Sequence, residues 1–266
     1  MITHPFIGIT GISTGNEVES LLQIRSSGLE CHSHAINTGI LISEDTFNGV
    51  PSTINRYPEV RTSYQIIEAL SSAYTPVIHY NTGNTDTISR QVENIFLKEN
   101  IYKDNICRMI QLNIGNPELV QIMKIKDKFP DLIIILQVPL WIEEYRNIDK
   151  LSEFLMKYTT FINHYILDPS GGRGTGITDD NIILFKDLHS KRIMTESFIF
   201  AGGLSGKNVY LYIKQLQEIF HHSNFSIDAE GKLRGGMYDG RKIGDRINPT
   251  KTADYLHEAI RGFSLI

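Results

Sequence analysis

The chain is organised around the stretch Tyr165-Ile-Leu-Asp-Pro-Ser-Gly-Gly-Arg-Gly-Thr-Gly176, where an apolar run leads into a glycine-rich loop. Its apolar run stops at Asp168, and residues 171–176 then contain four glycines in six positions. Glycine lets backbone N–H groups approach a ligand closely, and successive amides in such a turn can bind an anion. The stretch therefore predicts a proton-transfer group beside a phosphate site, with a tight turn capped by Asp168 as the alternative.

A second stretch, Phe198-Ile-Phe-Ala-Gly-Gly-Leu-Ser-Gly206, has the same construction of strand, glycines and helix start. A helix is predicted over Ser205–Phe220, and its N-terminus would attract an anion. Gly202 and Gly203 are therefore predicted to bind phosphate, together with Gly231 in the loop after the last strand. Close packing of a helix on a strand is the other explanation for the paired glycines.

Strand and helix patterns alternate eight times along the 266 residues. Eight strand–helix pairs in a chain of this length predict a single α/β domain over residues 1–266 with the TIM (β/α)8 barrel fold. A doubly wound sheet is the alternative, but Thr10-Gly-Ile-Ser-Thr-Gly15 lacks the spacing of a dinucleotide-binding turn. The predicted strands are Pro5–Thr10, Glu30–Ile36, Pro76–Tyr80, Ile106–Leu112, Asp131–Val138, Asn163–Leu167, Ser197–Ala201 and Asn224–Ile227.

Two long polar loops are predicted over Asn37–Pro58 and Asp228–Asp245, both after strands. In a TIM barrel the loops at the C-terminal ends of the strands carry the chemistry. Long loops inside a compact domain are commonly functional, so both loops and both glycine-rich stretches are expected on the same face.

Composition excludes several classes of partner. The net charge is −4, with 26 Lys and Arg against 30 Asp and Glu, so no basic face for nucleic acid is expected. Cys31 and Cys107 match no metal spacing or disulfide framework, which indicates a reducing compartment. The sequence has no long apolar run and no basic leader. We therefore expect a cytoplasmic protein, without membrane, metal or cofactor, and with a homodimer as a candidate assembly.

Four motifs resemble those of phosphoribosylanthranilate isomerases, which are ribulose-phosphate-binding barrels. They are Leu167-Asp-Pro-Ser-Gly-Gly-Arg-Gly-Thr-Gly176, Ala201-Gly-Gly-Leu204, Gln111-Leu112 and Ile227-Asp228. The resemblance implies an Amadori rearrangement, in which an acid opens a ribosyl ring and a base removes a proton from its second carbon. It also implies that Asp168 is the acid, that Asp228 and Gln111 belong to the site, and that the phosphate is bound by Gly171, Gly172, Gly174, Gly176, Gly202 and Gly203.

The sequence departs from the family at the position of the base. The family's first strand has a cysteine where Gly8-Ile-Thr-Gly-Ile-Ser13 has Thr10, and a hydroxyl is a far poorer base than a thiolate. The fourth strand also differs, with Asn113 where the family has histidine. Arg56 resembles the family's arginine for the substrate carboxylate, although its loop is longer.

The sequence thus predicts a diverged isomerase for a small phosphorylated sugar or ribosyl compound, with Asp168, Thr10 and Asp228 as catalytic residues. Two alternatives stay open: a non-catalytic barrel that binds a phosphorylated ligand, and an enzyme with another phosphorylated substrate. Cys31, His32 and His34 on the predicted second strand, and His79 on the third, are further candidates for the base.

Overall fold

Eight parallel strands close into a barrel in sequence order, and β1 completes the ring by pairing with β8. This is the predicted single-domain TIM (β/α)8 barrel. The computed structural model describes residues 4–140, 142–169, 176–191, 198–221, 224–238, 241–242 and 244–264. The strands are β1 (Phe6–Thr10), β2 (Ala35–Ser43), β3 (Thr75–Asn81), β4 (Met109–Leu112), β5 (Ile133–Val138), β6 (His164–Leu167), β7 (Phe198–Ala201) and β8 (Ser226–Ala229).

Helices follow the strands and cover the outside of the barrel. A short helix precedes the main one after β2, and a small hairpin of β9 (Met237–Tyr238) and β10 (Arg241–Lys242) precedes the last helix. The helices are α1 (Gly15–Ser26), α2 (Glu44–Phe47), α3 (Val60–Leu70), α4 (Ile88–Leu97), α5 (Leu119–Lys128), α6 (Ile148–Tyr158), α7 (Asp179–Ser190), α8 (Val209–Phe220) and α9 (Pro249–Ser264).

Apolar side chains form two layers, because successive residues of a strand point to opposite sides of the sheet. The outer layer lies between the strands and the helices, and includes Ile7 and Ile9 from β1. The inner layer fills the barrel with Phe6, Val77, Met109, Ile135, Ile166, Ile199 and Ala201. Each fully buried aliphatic side chain contributes about 1.5–3 kcal/mol. The barrel interior is therefore a packed core, and the residues at the C-terminal ends of the strands lie above it.

The second strand differs from the prediction. It starts at Ala35 instead of Glu30 and runs to Ser43, through a segment that was expected to be loop. Asn37 and Thr38 look like loop residues, but in the barrel they are buried at 2% and 0% exposure. The polar loop predicted over Asn37–Pro58 is therefore shorter than expected, and it begins only after α2.

Several other boundaries also differ from the prediction. Strand β4 begins at Met109, three residues later than expected. Helix α8 begins at Val209, four residues later than expected, because residues 205–208 form a turn instead. Strand β8 extends to Ala229, so that Asp228 lies inside the strand.

The loop after β8 is tied to the end of β1 by Arg234, which is 5% exposed. Its Nη1 donates to the Gly11 carbonyl oxygen over 2.6 Å. Its Nε and Nη2 donate to the side chain and the main chain of Asp245, over 3.1 and 2.8 Å. A Cβ at Gly11 would lie 2.4 Å from Arg234 Nη1, so glycine at this position makes the contact possible.

We expect Arg234→Met to lower the free energy of unfolding by about 2–3 kcal/mol, because it removes charge-assisted hydrogen bonds from a buried position. Arg246→Met, on the same loop but at an exposed position, is the control and should change it by less than about 0.5 kcal/mol. Urea unfolding of both variants measures the difference. Equal effects would show that the buried network contributes nothing beyond ordinary surface contacts.

Candidate active site

A cavity opens at the C-terminal ends of the strands, directly above the inner core. The structure brings together in its wall seven of the residues predicted from sequence: Thr10, Gln111, Asp168, Gly202, Gly203, Asp228 and Gly231. His79, Asn113, Gln137, Glu230 and Lys232 also line it. Side chains of β1, β3, β4, β5, β6 and β8 reach one small volume because alternate residues of each strand point into the barrel.

Thr10 lies at the centre of a polar chain. Its hydroxyl donates to Asp228 Oδ1 over 2.9 Å, and His79 Nε2 lies 3.4 Å from the Thr10 hydroxyl oxygen. Since the hydroxyl proton goes to Asp228, the Thr10 oxygen is left to accept from an N–H of His79. Thr10 is therefore a hydrogen-bond donor that orients Asp228.

Two strand glycines make room for this chain. A Cβ at Gly8 would lie 2.2 Å from Asp228 Oδ1. A Cβ at Gly39 would lie 2.4 Å from Thr10 Oγ1 and 2.7 Å from His79 Nε2. None of these three distances is compatible with a real side chain, so glycine at these positions of β1 and β2 allows the polar groups to approach closely.

Burial changes the protonation of two groups. It raises the pKa of Asp228 from 3.8 to about 7; the charges of Glu230 and Asp168 also raise it, whereas the hydrogen bond from Thr10 acts against the rise. Burial lowers the pKa of His79 to about 3, so its ring is neutral at physiological pH. Asp228 therefore exchanges its proton near neutrality, as a general acid or base requires.

Asp168 directly follows β6 and lines the same cavity at 7% exposure. Its charge acts on Asp228, so the two carboxyl groups are electrostatically coupled across the cavity. The glycine-rich loop after it was predicted to bind phosphate, but Gly171, Gly172 and Gly174 lie outside the described residues. Gly176 is described and exposed.

The other glycine pair meets the cavity. Gly202 and Gly203 have φ angles of +118° and +63°, which side-chain-bearing residues rarely adopt. They line the cavity together with Gly231 and Lys232. The predicted helix N-terminus is not at Ser205: that turn is held by Asn208, whose Oδ1 accepts from the Ser205 amide over 2.8 Å.

Arg56 lies in the loop between α2 and α3, and it does not line the cavity. Its Nη1 pairs with Glu230 Oε1, and its Nη2 lies 3.4 Å from Asp245 Oδ2. Because Glu230 is a cavity residue, Arg56 reaches the site only through that carboxylate.

The other candidates for the base lie at the opposite end of the barrel. Cys31 and His32 precede β2, in the connection that enters the barrel from its N-terminal end. His34 is also there: its ring stacks on Phe263 at 3.6 Å, and its Nε2 lies 3.0 Å from the Phe225 carbonyl oxygen. These three residues were expected on a strand that leads to the site, and that placement is wrong. His79 is the one histidine among the four candidates that lines the cavity.

Glu230, Lys232 and Gln137 were not predicted as site residues. The alternation of side chains along a strand could have identified two of them. Gln137 follows Ile133 and Ile135 at alternate positions of β5, and Glu230 lies two residues after Asp228. The sequence carries no comparable signal for Lys232, whose position depends on the turn at Gly231–Leu233.

Neither a metal cluster nor a membrane span emerges within the described ranges. These residues contain no group of three or more His, Cys, Asp or Glu side chains that could hold a metal ion. In the same part of the chain, no helix is both long and apolar enough to cross a bilayer.

The barrel and its acidic cavity place the chain among (β/α)8 proteins. TrpF from Jonesia denitrificans has a similar structure, with a TM-score of 0.59 and 16% identity over 98% of each chain. Thiamine phosphate pyrophosphorylase from Bacteroides thetaiotaomicron has a TM-score of 0.49 and 10% identity over 98% of this chain and 97% of its own. A rubisco-like protein from Burkholderia fungorum has a TM-score of 0.49 and 11% identity over 87% of this chain and 56% of its own.

In sequence, no protein-family profile and no curated protein matches the chain. At 16% identity, the likeness to TrpF shows a shared fold and nothing finer. Any assignment of activity therefore has to rest on the cavity itself.

Asp228→Asn should stabilise the protein in a pH-dependent way. Below about pH 4 Asp228 is protonated in both the folded and the unfolded protein, so burial carries no ionisation penalty. Between about pH 4 and 7 only the unfolded chain releases the proton. The free energy of unfolding of the wild type therefore falls as the pH rises through this range. The asparagine avoids this loss. Its free energy of unfolding should exceed that of wild type by as much as about 4 kcal/mol above pH 7, and by little at pH 4.

Melting temperatures of the two proteins between pH 4 and pH 8.5 measure this difference. Asp187→Asn, at an exposed position on α7, is the control and should show no such trend. A stability difference that is constant over this range would mean that Asp228 ionises at its ordinary pKa.

Proposed function

We propose that the protein isomerises a phosphorylated sugar or ribosyl compound by acid–base catalysis. The observation that carries the proposal is the pair of buried carboxyl groups, Asp168 and Asp228, at the mouth of one barrel cavity, with the pKa of Asp228 raised to about 7. Two carboxyl groups in one cavity can serve a reaction that needs one proton donor and one proton acceptor. The likeness in fold to TrpF agrees with this class and does not define the substrate.

Asp228 is the group best suited to act as the base. It contacts Thr10, the residue that replaces the cysteine of phosphoribosylanthranilate isomerases, so its carboxylate reaches the same part of the cavity. Burial makes the ionised form a stronger proton acceptor than an exposed aspartate. The Thr10 hydroxyl orients the carboxylate, and the neutral His79 ring supports that hydroxyl.

The proton transfers balance with these two groups. Asp168 donates a proton to the ring oxygen as the ring opens. Asp228 takes the proton from the second carbon, which leaves an enol or enolamine. Asp228 then gives that proton to the first carbon, and the hydroxyl group on the second carbon returns a proton to Asp168 as it becomes the carbonyl, so that the ketose forms and both carboxyl groups are restored. The reaction moves one hydrogen between adjacent carbons and needs no oxidant or reductant.

The phosphate is proposed to bind where Gly202, Gly203 and Gly231 expose backbone to the cavity and Lys232 adds a positive charge. Backbone amides of glycine turns and a lysine are a common combination for phosphate. The undescribed loop 170–175 after Asp168 was predicted to contribute, and that prediction stays open.

Isotope exchange tests the acid–base assignment. In D2O the wild type should introduce deuterium into at least one of three compounds: at the second carbon of D-ribose 5-phosphate or of phosphoribosylanthranilate, or at the first carbon of D-ribulose 5-phosphate, as measured by NMR. Asp228→Asn should slow the exchange by about 10²–10⁴-fold, and the wild-type rate should rise with pH through about 7. Asp168→Asn should remove turnover of ring-closed substrates while ligand affinity is retained.

Asp187→Asn should exchange deuterium at the wild-type rate. An Asp228→Asn protein as fast as wild type would place the base elsewhere. Tight binding of these ligands by a wild type that exchanges no deuterium would favour the non-catalytic barrel.

Gly203→Ala should weaken the binding of D-ribose 5-phosphate. A side chain at φ +63° costs about 1–2 kcal/mol, and the turn would relax away from its cavity-lining conformation. Gly28→Ala is a matched control, since Gly28 has φ +86° and lies at the end of α1, away from the cavity. Both variants should have a lower melting temperature than the wild type, but calorimetry should show weaker binding of D-ribose 5-phosphate only for Gly203→Ala. Equal affinities would refute the phosphate site.

A further inference from the structure

The described side chains around the cavity carry more negative than positive charge. Three carboxyl groups line it, those of Asp168, Asp228 and Glu230, against a single cation, Lys232, among the described residues. Lys232 follows Gly231, on the side proposed for phosphate, so a bound phosphate would use its charge. The remainder of the cavity wall, so far as it is described, offers no cation to a second anionic group.

The guanidinium group of Arg56 already forms ion pairs with protein carboxylates. Arg56 pairs with Glu230 and with Asp245, and the side chains of Arg56 and Glu230 are only 27% and 24% exposed. A carboxylate on a ligand could reach Arg56 only by displacing Glu230, and it would meet that like charge on the way. Juxtaposed like charges in an interface are strongly unfavourable.

Uncharged polar groups form the other part of the wall. Gln111 Nε2 donates to Asn113 Oδ1 over 2.7 Å. This leaves an acceptor on Gln111 and a donor on Asn113, and Gln137 adds a further carboxamide with no protein partner in the described ranges. Carboxamides offer both donors and acceptors, which is the combination that hydroxyl groups need.

We propose that the site takes a monophosphorylated, polyhydroxylated compound whose other end carries no anionic group, and that the Arg56–Glu230 pair excludes a ligand carboxylate. The proposal rests on the proposed function, since it concerns the same cavity and assumes that phosphate binds beside Lys232. It adds the chemical class of the substrate and a residue that determines specificity.

Two matched ligands test it. D-ribitol 5-phosphate and 5-phospho-D-ribonate differ only at the first carbon, which carries a hydroxyl in one and a carboxylate in the other. By calorimetry, the wild-type chain should bind the ribitol ligand at least about tenfold more tightly. Glu230→Gln removes the like charge and releases Arg56, so the preference should fall to near unity, mainly through tighter binding of the ribonate.

Two further variants separate the charge of Glu230 from the freedom of Arg56. Asp245→Asn removes one partner of Arg56 but leaves the Glu230 carboxylate in the cavity, so the preference should persist. Arg56→Gln leaves that carboxylate without its cation, and the preference should increase.

The outcomes distinguish this inference from the proposed function. Equal affinities in the wild type would overturn the exclusion of anionic ligands while leaving the phosphate site in place. A preference that Glu230→Gln does not change would overturn the role of the pair. Failure of both ligands to bind the wild type would overturn the phosphate site and, with it, the substrate class.

Discussion

The packing of Asp228 against Gly8 and Thr10, where β8 pairs with β1, determines the environment of the carboxyl group on which the account of this cavity depends. The absence of a side chain at Gly8 lets the carboxyl group turn inward, where little water can reach it. An ionised carboxylate is costly in such a place, so burial raises its pKa into the neutral range. The hydrogen bond from Thr10 offsets part of that cost and fixes the direction of the group.

Other charged side chains lie around the Asp228 carboxyl group. Asp168 and Glu230 add negative charge in the cavity, and both raise the pKa of Asp228. Outside the cavity, Arg56 pairs with Glu230 and Asp245, and Arg234 pairs with Asp245 and ties the loop after β8 to the end of β1. Glu230 therefore belongs both to the cavity wall and to the contacts that hold the loops together.

The fold could be predicted because its strands are buried on both faces. Runs such as Leu132–Leu136 alternate with amphipathic helices, and this pattern has few solutions other than a parallel sheet covered by helices. The error in β2 has a physical cause: Asn37, Thr38 and Gly39 are a loop-like sequence whose polar groups face the barrel interior or are buried beneath helices. Residue type alone does not reveal that environment.

The candidate site was predictable where a strand end fixed its members. Asp168 was singled out because it ends an apolar strand before a glycine-rich loop, and the resemblance to phosphoribosylanthranilate isomerases implied Thr10, Gln111 and Asp228. All four lie in or directly after strands that end at one face, and alternate residues of such strands point into the barrel. The pairing of Arg56 with Glu230 joins loops 174 residues apart in the sequence, and no local pattern indicates it. Sequence similarity suggested that Arg56 meets a ligand, whereas its position depends on loop packing.

The pKa of Asp228 is the quantity on which the proposed chemistry depends most directly. It can be measured by 13C NMR titration of the side-chain carboxyl carbons in the intact protein, with the Asp228 resonance assigned by its absence from Asp228→Asn. The structure predicts a titration midpoint near 7, and a higher midpoint in Thr10→Val, which lacks the hydrogen bond that favours ionisation. A midpoint near 4, the ordinary range of an exposed aspartate, would contradict the assignment of Asp228 as the group that exchanges a proton at neutral pH.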